Sequence, residues 1–241
     1  MIAFQDTYDD RKKEIEDFLE LMEFLETKEN DRVDGVSKFS EFFHSEGTGI
    51  RLTYQSLINV LKSNVSLMIY NIIEYTVANL IDSIYDEIRM NRLSYVDVNE
   101  SIQGLWRKTI LKSTSDPNAN FNTFLKKNEE IITTILRNTT LEMNSRNTLP
   151  SGNLDGVSIK RTFESHGIQL QTRSRNYRPD ILEGIKENRN NLAHGSVSFV
   201  DAVRSDSISD IRKNETFVVA FLEELIDTVT TYIDEKRYKM E

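Results

Sequence analysis

Hydrophobic residues recur three or four positions apart along most of the chain, which is the spacing of one face of an α-helix. The longest such stretch runs from about Thr53 to Asn91, and we expect one long helix there. Apolar residues cover so much of its surface that it should be the central helix of the fold. The apolar stripe of this helix consists of Leu57, Leu61, Val65, Met68, Ile72, Leu80, Ile84 and Ile88.

The same spacing predicts further helices on both sides of this one. In the helix over residues 121–139, the inner face is expected to consist of Phe124, Leu125, Ile131, Ile132, Ile135 and Leu136. The predicted ranges are residues 9–28, 98–111, 121–139 and 217–238.

Three stretches lack a clear helical spacing. Residues 30–49 are interpreted as a connector with an aromatic anchor, and residues 144–156 as a loop. Residues 201–212 are polar and give no clear pattern. The aromatic anchor consists of Phe39, Phe42 and Phe43.

Two shorter helices are predicted from their end signals. Asp155 is expected to cap a helix that runs to about His166, because a carboxylate accepts hydrogen bonds from the first N–H groups of a helix. Another helix should begin at Pro179, where a missing N–H is tolerated, and end at Gly195 in a left-handed cap. Together these patterns predict an all-α protein, with residues 1–241 forming a single domain.

Composition supports this class and bounds the function. The chain has only 9 glycines and 3 prolines, which favours helices over a sandwich or barrel. It has no cysteine, so disulfides and thiolate metal sites are excluded. No run of 18 apolar residues and no signal-peptide layout occurs, so we expect a cytoplasmic protein that does not contact membranes.

Charge is distributed unevenly along the chain. The net charge of −9 argues against broad, non-specific coating of nucleic acid. Residues 160–178 are nonetheless basic and include Arg173, Arg175 and Arg178. These arginines either line a cationic groove that suits a single strand or form a solvated loop.

The stretch from Arg189 to His194 is the one place where a cation, amides and a histidine crowd together. It contains Asn190 and Asn191, and His194 should lie at the helix end, where exposed carbonyls favour the charged imidazole. Arg189 and His194 are five residues apart, roughly 140° around a regular helix. They converge only if the arginine side chain swings, if the helix loosens near Gly195, or across a two-fold dimer.

A polar face interrupts the long apolar helix. Ser66, Tyr70 and Glu74 are spaced four apart and therefore share one side of it. A carboxylate buried there needs a partner, for which arginine is the natural choice. Either Tyr70 and Glu74 orient Arg189, or the three residues form a polar seam between helices or subunits.

Other catalytic signatures are missing from the sequence. It contains no Gly-rich phosphate loop, no His-Glu-x-x-His segment and no nucleophile elbow. Its three histidines are scattered, and His166 is expected to be a packed or capping residue. We therefore expect no metal and no cofactor.

An arginine and a histidine suffice for one reaction class. RNA carries its own nucleophile, the ribose 2′-OH, so its cleavage requires no metal-bound water. The reaction requires a group that moves a proton, which histidine can do, and positive charge on the phosphate, which arginine supplies.

Three segments resemble the HEPN superfamily, in particular the stand-alone bacterial HEPN nucleases of defence and toxin loci. Arg189 to His194 has the Arg-(four residues)-His form of its motif, and the resemblance continues through Phe199. The other two segments are residues 66–77 and 151–156, and we estimate that the resemblance covers about residue 10 to 235. It implies an all-α, HEPN-like helical bundle.

The resemblance also implies an activity: a metal-independent endoribonuclease that acts as a homodimer with paired motifs in one cleft. Arg189 would bind the scissile phosphate, His194 would be the general acid or base, and Asn190 would hold substrate or orient His194. Asn191 and Ser198 flank these residues and are further candidates to contact RNA.

Two other functions stay open at this point. HEPN domains also occur as non-catalytic binding or dimerisation modules that regulate, or are regulated by, a partner protein. A toxin silenced by an antitoxin, or a component of an antiphage defence system, is the other reading.

Overall fold

The structure, a computed structural model, describes residues 4–43, 53–112, 120–150, 152–171 and 174–240, with the backbone alone at 42 and 43. Within these residues the prediction of an all-α fold is confirmed, because a two-stranded hairpin is the only sheet. The helices are α1 (Gln5–Asn30), α2 (Lys38–Phe43), α3 (Tyr54–Met90), α4 (Glu100–Leu111), α5 (Phe121–Leu136), α6 (Ser145–Thr148), α7 (Gly156–Ser165), α8 (Pro179–Ala193) and α9 (Ile208–Asp234).

The chain divides into two compact units, and the division falls within α3 and α9. The first unit comprises residues 1–4, 75–177 and 222–241, and the second comprises residues 5–74 and 178–221. That residues 1–241 form a single domain stays a prediction.

The long helix is confirmed as α3. Its 37 residues include many buried isoleucines, two buried valines and the buried Leu80, as the wide apolar stripe requires. By length and composition α3 would also satisfy the requirements of a membrane span. In its most apolar 18-residue window, 56% is buried inside the protein, as in a core helix.

The predicted connector holds more structure than expected. Residues 32–33 and 36–37 form an antiparallel hairpin, and α2 follows it directly. Asp34 and Gly35 both have positive φ, at 53° and 82°, which suits a tight hairpin turn. Phe39 is buried and packs edge-on against Tyr54, so it is an anchor as predicted. The side chains of Phe42 and Phe43 lie outside the described residues.

The last helix begins earlier than predicted and also ends earlier. α9 starts at Ile208 rather than at 217, because Ser207 and Asp210 exchange capping hydrogen bonds at its first turn. It ends at Asp234 rather than at 238, and Lys236 then takes a positive φ of 55°. Arg212 of α9 binds Glu16 and Glu23 of α1 at 3.0 and 2.6 Å, within the second unit.

Two other expectations require correction. The loop over 144–156 contains α6, whose first turn is held by Asp82: its carboxylate accepts from the Ser145 N–H and hydroxyl. The inner face proposed for α5 is wrong in part: Ile131 is buried, whereas Phe124, Leu125, Ile132 and Leu136 are exposed. The periodicity of α5 predicts a helix correctly, but an apolar stripe does not by itself determine which face is buried.

His166 contacts residues of three helices in the first unit. This residue ends α7 and is buried, as predicted for a packed or capping histidine. Its ring contacts the Tyr85 hydroxyl at 2.6 Å and the Thr162 carbonyl oxygen at 2.7 Å. The Tyr232 hydroxyl donates to the His166 carbonyl oxygen at 2.8 Å, so α3, α7 and α9 are joined there.

Candidate functional site

Helix α8 carries the predicted motif, and its local sequence fixes both of its ends. Pro179 is its first residue, as predicted. Leu182, Ile185 and Leu192 form its buried face in the second unit. The remaining faces are therefore available to present polar residues.

A left-handed glycine ends α8 immediately after the motif. Gly195 has φ of +66°, its N–H donates to the Leu192 carbonyl, and the Ser196 N–H donates to the Asn191 carbonyl. This pair of bonds is the Schellman arrangement. His194 is the C-cap residue, held by its own N–H to the Asn190 carbonyl at 3.0 Å, and it is exposed.

Arg189 is positioned by an aromatic ring and an amide. The centre of its guanidinium lies 5.0 Å from the ring centroid of Tyr70, and its Nη1 donates to Asn190 Oδ1 at 3.0 Å. This cation–π contact holds the guanidinium against the Tyr70 ring, and a guanidinium binds phosphate through its N–H groups. Arg189 is half-buried, which strengthens its interaction with any anion that reaches it.

Tyr70 is fixed in turn by its own helix. The residue is fully buried, and its hydroxyl donates to Glu74 Oε1 at 3.0 Å. Glu74, Tyr70 and Arg189 therefore form a continuous series of contacts from α3 to α8 within the second unit. Ser66 lies one turn earlier on α3, where it is buried beside a cavity.

The segment that follows the motif is tied to α3. The Ser63 hydroxyl donates to the Phe199 carbonyl at 2.7 Å, and Lys62 Nζ donates to the Asp206 carbonyl at 2.6 Å. Burial lowers the pKa of Lys62 from its usual value of 10.5. Ser198 donates to the Asp201 carboxylate at 2.6 Å and starts the turn. Sequence reasoning missed Lys62 and Ser63, although a lysine inside so apolar a helix was a signal.

Comparison with known proteins places the chain in a family. The model of the HEPN_MAE_28990-like HEPN family matches residues 3–238. The chain belongs to this HEPN family. No curated protein and no solved structure matches the chain. HEPN domains are typically ribonucleases or nucleotide-binding proteins.

Part of the HEPN motif contacts the polar face of α3. Arg189 contacts both Asn190 and Tyr70, and Tyr70 contacts Glu74. Asn191 is exposed and contributes its carbonyl to the helix end. The catalytic and binding roles of these residues stay predictions.

The arginines of the basic stretch before the HEPN motif belong to different units of the fold. Arg173 lies outside the described residues, and Arg175 is exposed in the first unit. Arg178 belongs to the second unit, where it donates to Asp180 at 2.6 Å and lies 5.4 Å from the ring centroid of Phe217. Arg178 is thus already engaged by a carboxylate and a ring.

Among the described residues, no three His, Asp or Glu side chains form a group that could hold a metal ion. The polar groups at the motif are a guanidinium, amides, an imidazole and hydroxyls. Their chemistry is that of anion binding and proton transfer.

Proposed function

We propose that this HEPN protein is a metal-independent endoribonuclease in which Arg189 and His194 act on one phosphodiester of an RNA strand. The observation that supports the proposal most strongly is the placement of Arg189. Its guanidinium is stacked on a buried tyrosine and stands five residues before an exposed histidine at a helix end. A cation held in place by packing is organised in advance to bind a phosphate.

The chemistry requires only these groups and the substrate. The ribose 2′-oxygen attacks phosphorus, the P–O2′ bond forms, and the P–O5′ bond breaks. The 2′-OH proton must leave and the departing O5′ must gain a proton, and His194 performs one of these transfers. Arg189 neutralises the charge that builds up on the non-bridging oxygens. The products are a 2′,3′-cyclic phosphate and a 5′-OH.

A homodimer would complete this site. α8 is regular up to its cap, since the His194 N–H bonds to the Asn190 carbonyl four residues earlier. Arg189 and His194 therefore project roughly 140° apart around its axis. Pairing of two motifs about a two-fold axis would place the His194 of one copy near the Arg189 of the other. The two histidines would then supply one proton acceptor and one proton donor.

The proposed setting is a cytoplasmic toxin or antiphage-defence nuclease. The resemblance to the stand-alone HEPN nucleases of such loci supports it. An antitoxin or another partner protein would then restrain the activity until RNA cleavage is needed.

The test is cleavage of tRNA and total RNA in excess EDTA. Wild type should cleave, whereas Arg189→Ala and His194→Ala should each lose about 100-fold or more in rate. Arg107→Ala is a matched control, because Arg107 lies 6.0 Å from the ring centroid of Tyr95 in the other unit. It removes an arginine that contacts a tyrosine ring of the first unit, and it should cleave like wild type.

The result that contradicts the proposal is equally specific. If wild type and all three variants fold but none cleaves RNA, the result favours a non-catalytic binding or dimerisation module over a ribonuclease. If Arg189→Ala cleaves as fast as wild type, the motif is not the catalytic site.

A further inference from the structure

The second unit contains a cavity of about 210 Å³ beside the HEPN motif helix. It lies between α3, α8 and the stretch from Asp206 into α9. Isoleucine side chains from all three helices form its walls: Ile69, Ile181, Ile185 and Ile211. A cavity of about 150 Å³ already accommodates one benzene ring, so this one has room for a single flat ring system.

The cavity has unused hydrogen-bonding capacity. Ser66 lines it and is only 4% exposed, yet none of the hydrogen bonds among the described residues uses its hydroxyl. Its hydroxyl is therefore open to hydrogen bonding with a molecule in the cavity. The side-chain amides of Asn188 and Asn214 also line the cavity and make no hydrogen bond to the described residues.

The charge of the lining defines which ligand fits. None of the described lining residues is Lys or Arg, so the cavity does not suit a phosphate group. Asp180 also lines the cavity and is already paired with Arg178. Asp206 accepts one hydrogen bond on Oδ1, from Ser205 at 3.1 Å. Its other carboxylate oxygen can accept N–H groups from a neutral ligand.

The cavity adjoins the arginine of the motif. Ser66 and Tyr70 are four residues apart on α3, and Ile185 and Arg189 are four apart on α8. Each pair therefore spans about 6 Å along its helix. A ligand beside Ser66 and Ile185 would lie one helical turn from the guanidinium stacked on Tyr70.

We propose that this cavity binds one base of the RNA substrate, next to the phosphate at Arg189, and that it selects guanine. Naming the ligand as an RNA base rests on the proposed ribonuclease function. Proteins read unstacked bases by packing them between flat or apolar side chains and by hydrogen bonding to their edges. The isoleucines supply the packing, and the polar side chains supply the hydrogen bonds.

Guanine fits the polar groups better than the other bases. Its edge presents an N1–H and an exocyclic N2–H side by side, and a carboxylate such as that of Asp206 accepts both. Its O6 and N7 are acceptors for the amide N–H groups of Asn188 or Asn214. Uracil lacks an exocyclic amino group, and hypoxanthine lacks only the N2 amino group of guanine.

The test is direct binding of nucleoside monophosphates, which does not depend on cleavage. Calorimetry with GMP, IMP, AMP, CMP and UMP should show GMP binding about tenfold tighter than UMP, with IMP in between. Gly184→Leu fills the cavity, because a Cβ at Gly184 meets nothing within 4 Å. It should reduce GMP affinity about tenfold or more while the protein stays folded.

The matched control is Gly104→Leu in α4, where a Cβ also meets nothing within 4 Å and no cavity residue is altered. It should bind GMP like wild type. Asp206→Asn is a second variant, which leaves the carbonyl bound by Lys62 in place. It should reduce the preference for GMP over IMP if Asp206 accepts the N2 amino group.

The outcomes separate the two proposals. Equal affinity for all five nucleotides, unchanged by Gly184→Leu, would overturn the guanine pocket. If the same protein still cleaves RNA, the proposed ribonuclease function is not affected by that result. Selective GMP binding that is lost in Gly184→Leu would support the guanine pocket. If RNA is not cleaved in that case, only the proposed ribonuclease function is refuted.

Discussion

Acid should destabilise the first unit through His166, and the structure allows the size of the effect to be calculated. The Nδ1 of His166 faces the Thr162 carbonyl oxygen, so this nitrogen carries the proton and donates it. The Nε2 then accepts from the Tyr85 hydroxyl. The ring is neutral, and burial lowers its pKa from 6.5 to about 4.

The sign of the effect follows from proton binding. Below pH 6.5 the unfolded chain binds a proton at His166, whereas the folded protein does not do so until about pH 4. The free energy of unfolding therefore falls as the pH is lowered through this window. For these two pKa values the loss is about 2 kcal/mol between pH 7 and pH 5, and about 3 kcal/mol in the limit.

The assay is urea unfolding at pH 7 and pH 5, followed by tryptophan fluorescence. Trp106 is the single tryptophan and is buried in the same unit as His166, so it reports on that unit. The urea midpoint of wild type should drop by about 0.7–1 M if m is about 2–3 kcal/mol/M. Asp97, whose pKa is lowered by hydrogen bonds from Ser94, titrates below this window.

A non-titrating variant isolates the contribution of His166. In His166→Gln the amide N–H can donate to Thr162 and the amide oxygen can accept from Tyr85. Its acid-induced loss should be about 2 kcal/mol smaller than that of wild type. Equal losses in wild type and His166→Gln would refute the assignment of a neutral, buried histidine.

Three further predictions concern glycine conformation, a helix cap and a hydrogen bond between distant segments. Gly195→Ala should lower the free energy of unfolding by about 1 kcal/mol, because Gly195 has a positive φ. Gly184→Ala should raise it by about 0.5–1 kcal/mol, because a Cβ at this helical position meets nothing within 4 Å. A higher melting temperature for Gly195→Ala than for Gly184→Ala would contradict the left-handed cap. Asp155→Ala should cost about 1 kcal/mol by removing the cap of α7, and an unchanged melting temperature would argue against that cap. Ser63→Ala should speed amide hydrogen exchange in residues 196–207, and unaltered exchange would show that this hydrogen bond does not hold the segment.

The ends of the motif helix could be predicted from sequence because local chemistry encodes them. Pro179 begins α8 and Gly195 takes the left-handed cap that follows it. Asp155 caps α7 for the same kind of reason. The Asp34-Gly35 hairpin was a signal of this sort that sequence analysis overlooked.

Contacts between distant segments could not be predicted in the same way. Nothing local to Lys62 or Ser63 indicates that they bind the backbone at Asp206 and Phe199, 144 and 136 residues away. The prediction of the inner face of α5 was wrong in part for a related reason: which face of a helix is buried depends on the helices that pack beside it. Spacing places Tyr70 and Glu74 on one face, but only the tertiary structure puts the Tyr70 ring beneath Arg189.

Cleavage, in excess EDTA, of an RNA with one 2′-deoxynucleotide on the 5′ side of the mapped cut shows whether the ribose 2′-OH is the nucleophile. The all-ribose strand should yield a 2′,3′-cyclic phosphate, and the substituted strand should not be cut at that position. Arg189→Ala and His194→Ala should cut neither strand. Cleavage of the substituted strand at the same site, or a product with a 3′-OH end, would contradict the account.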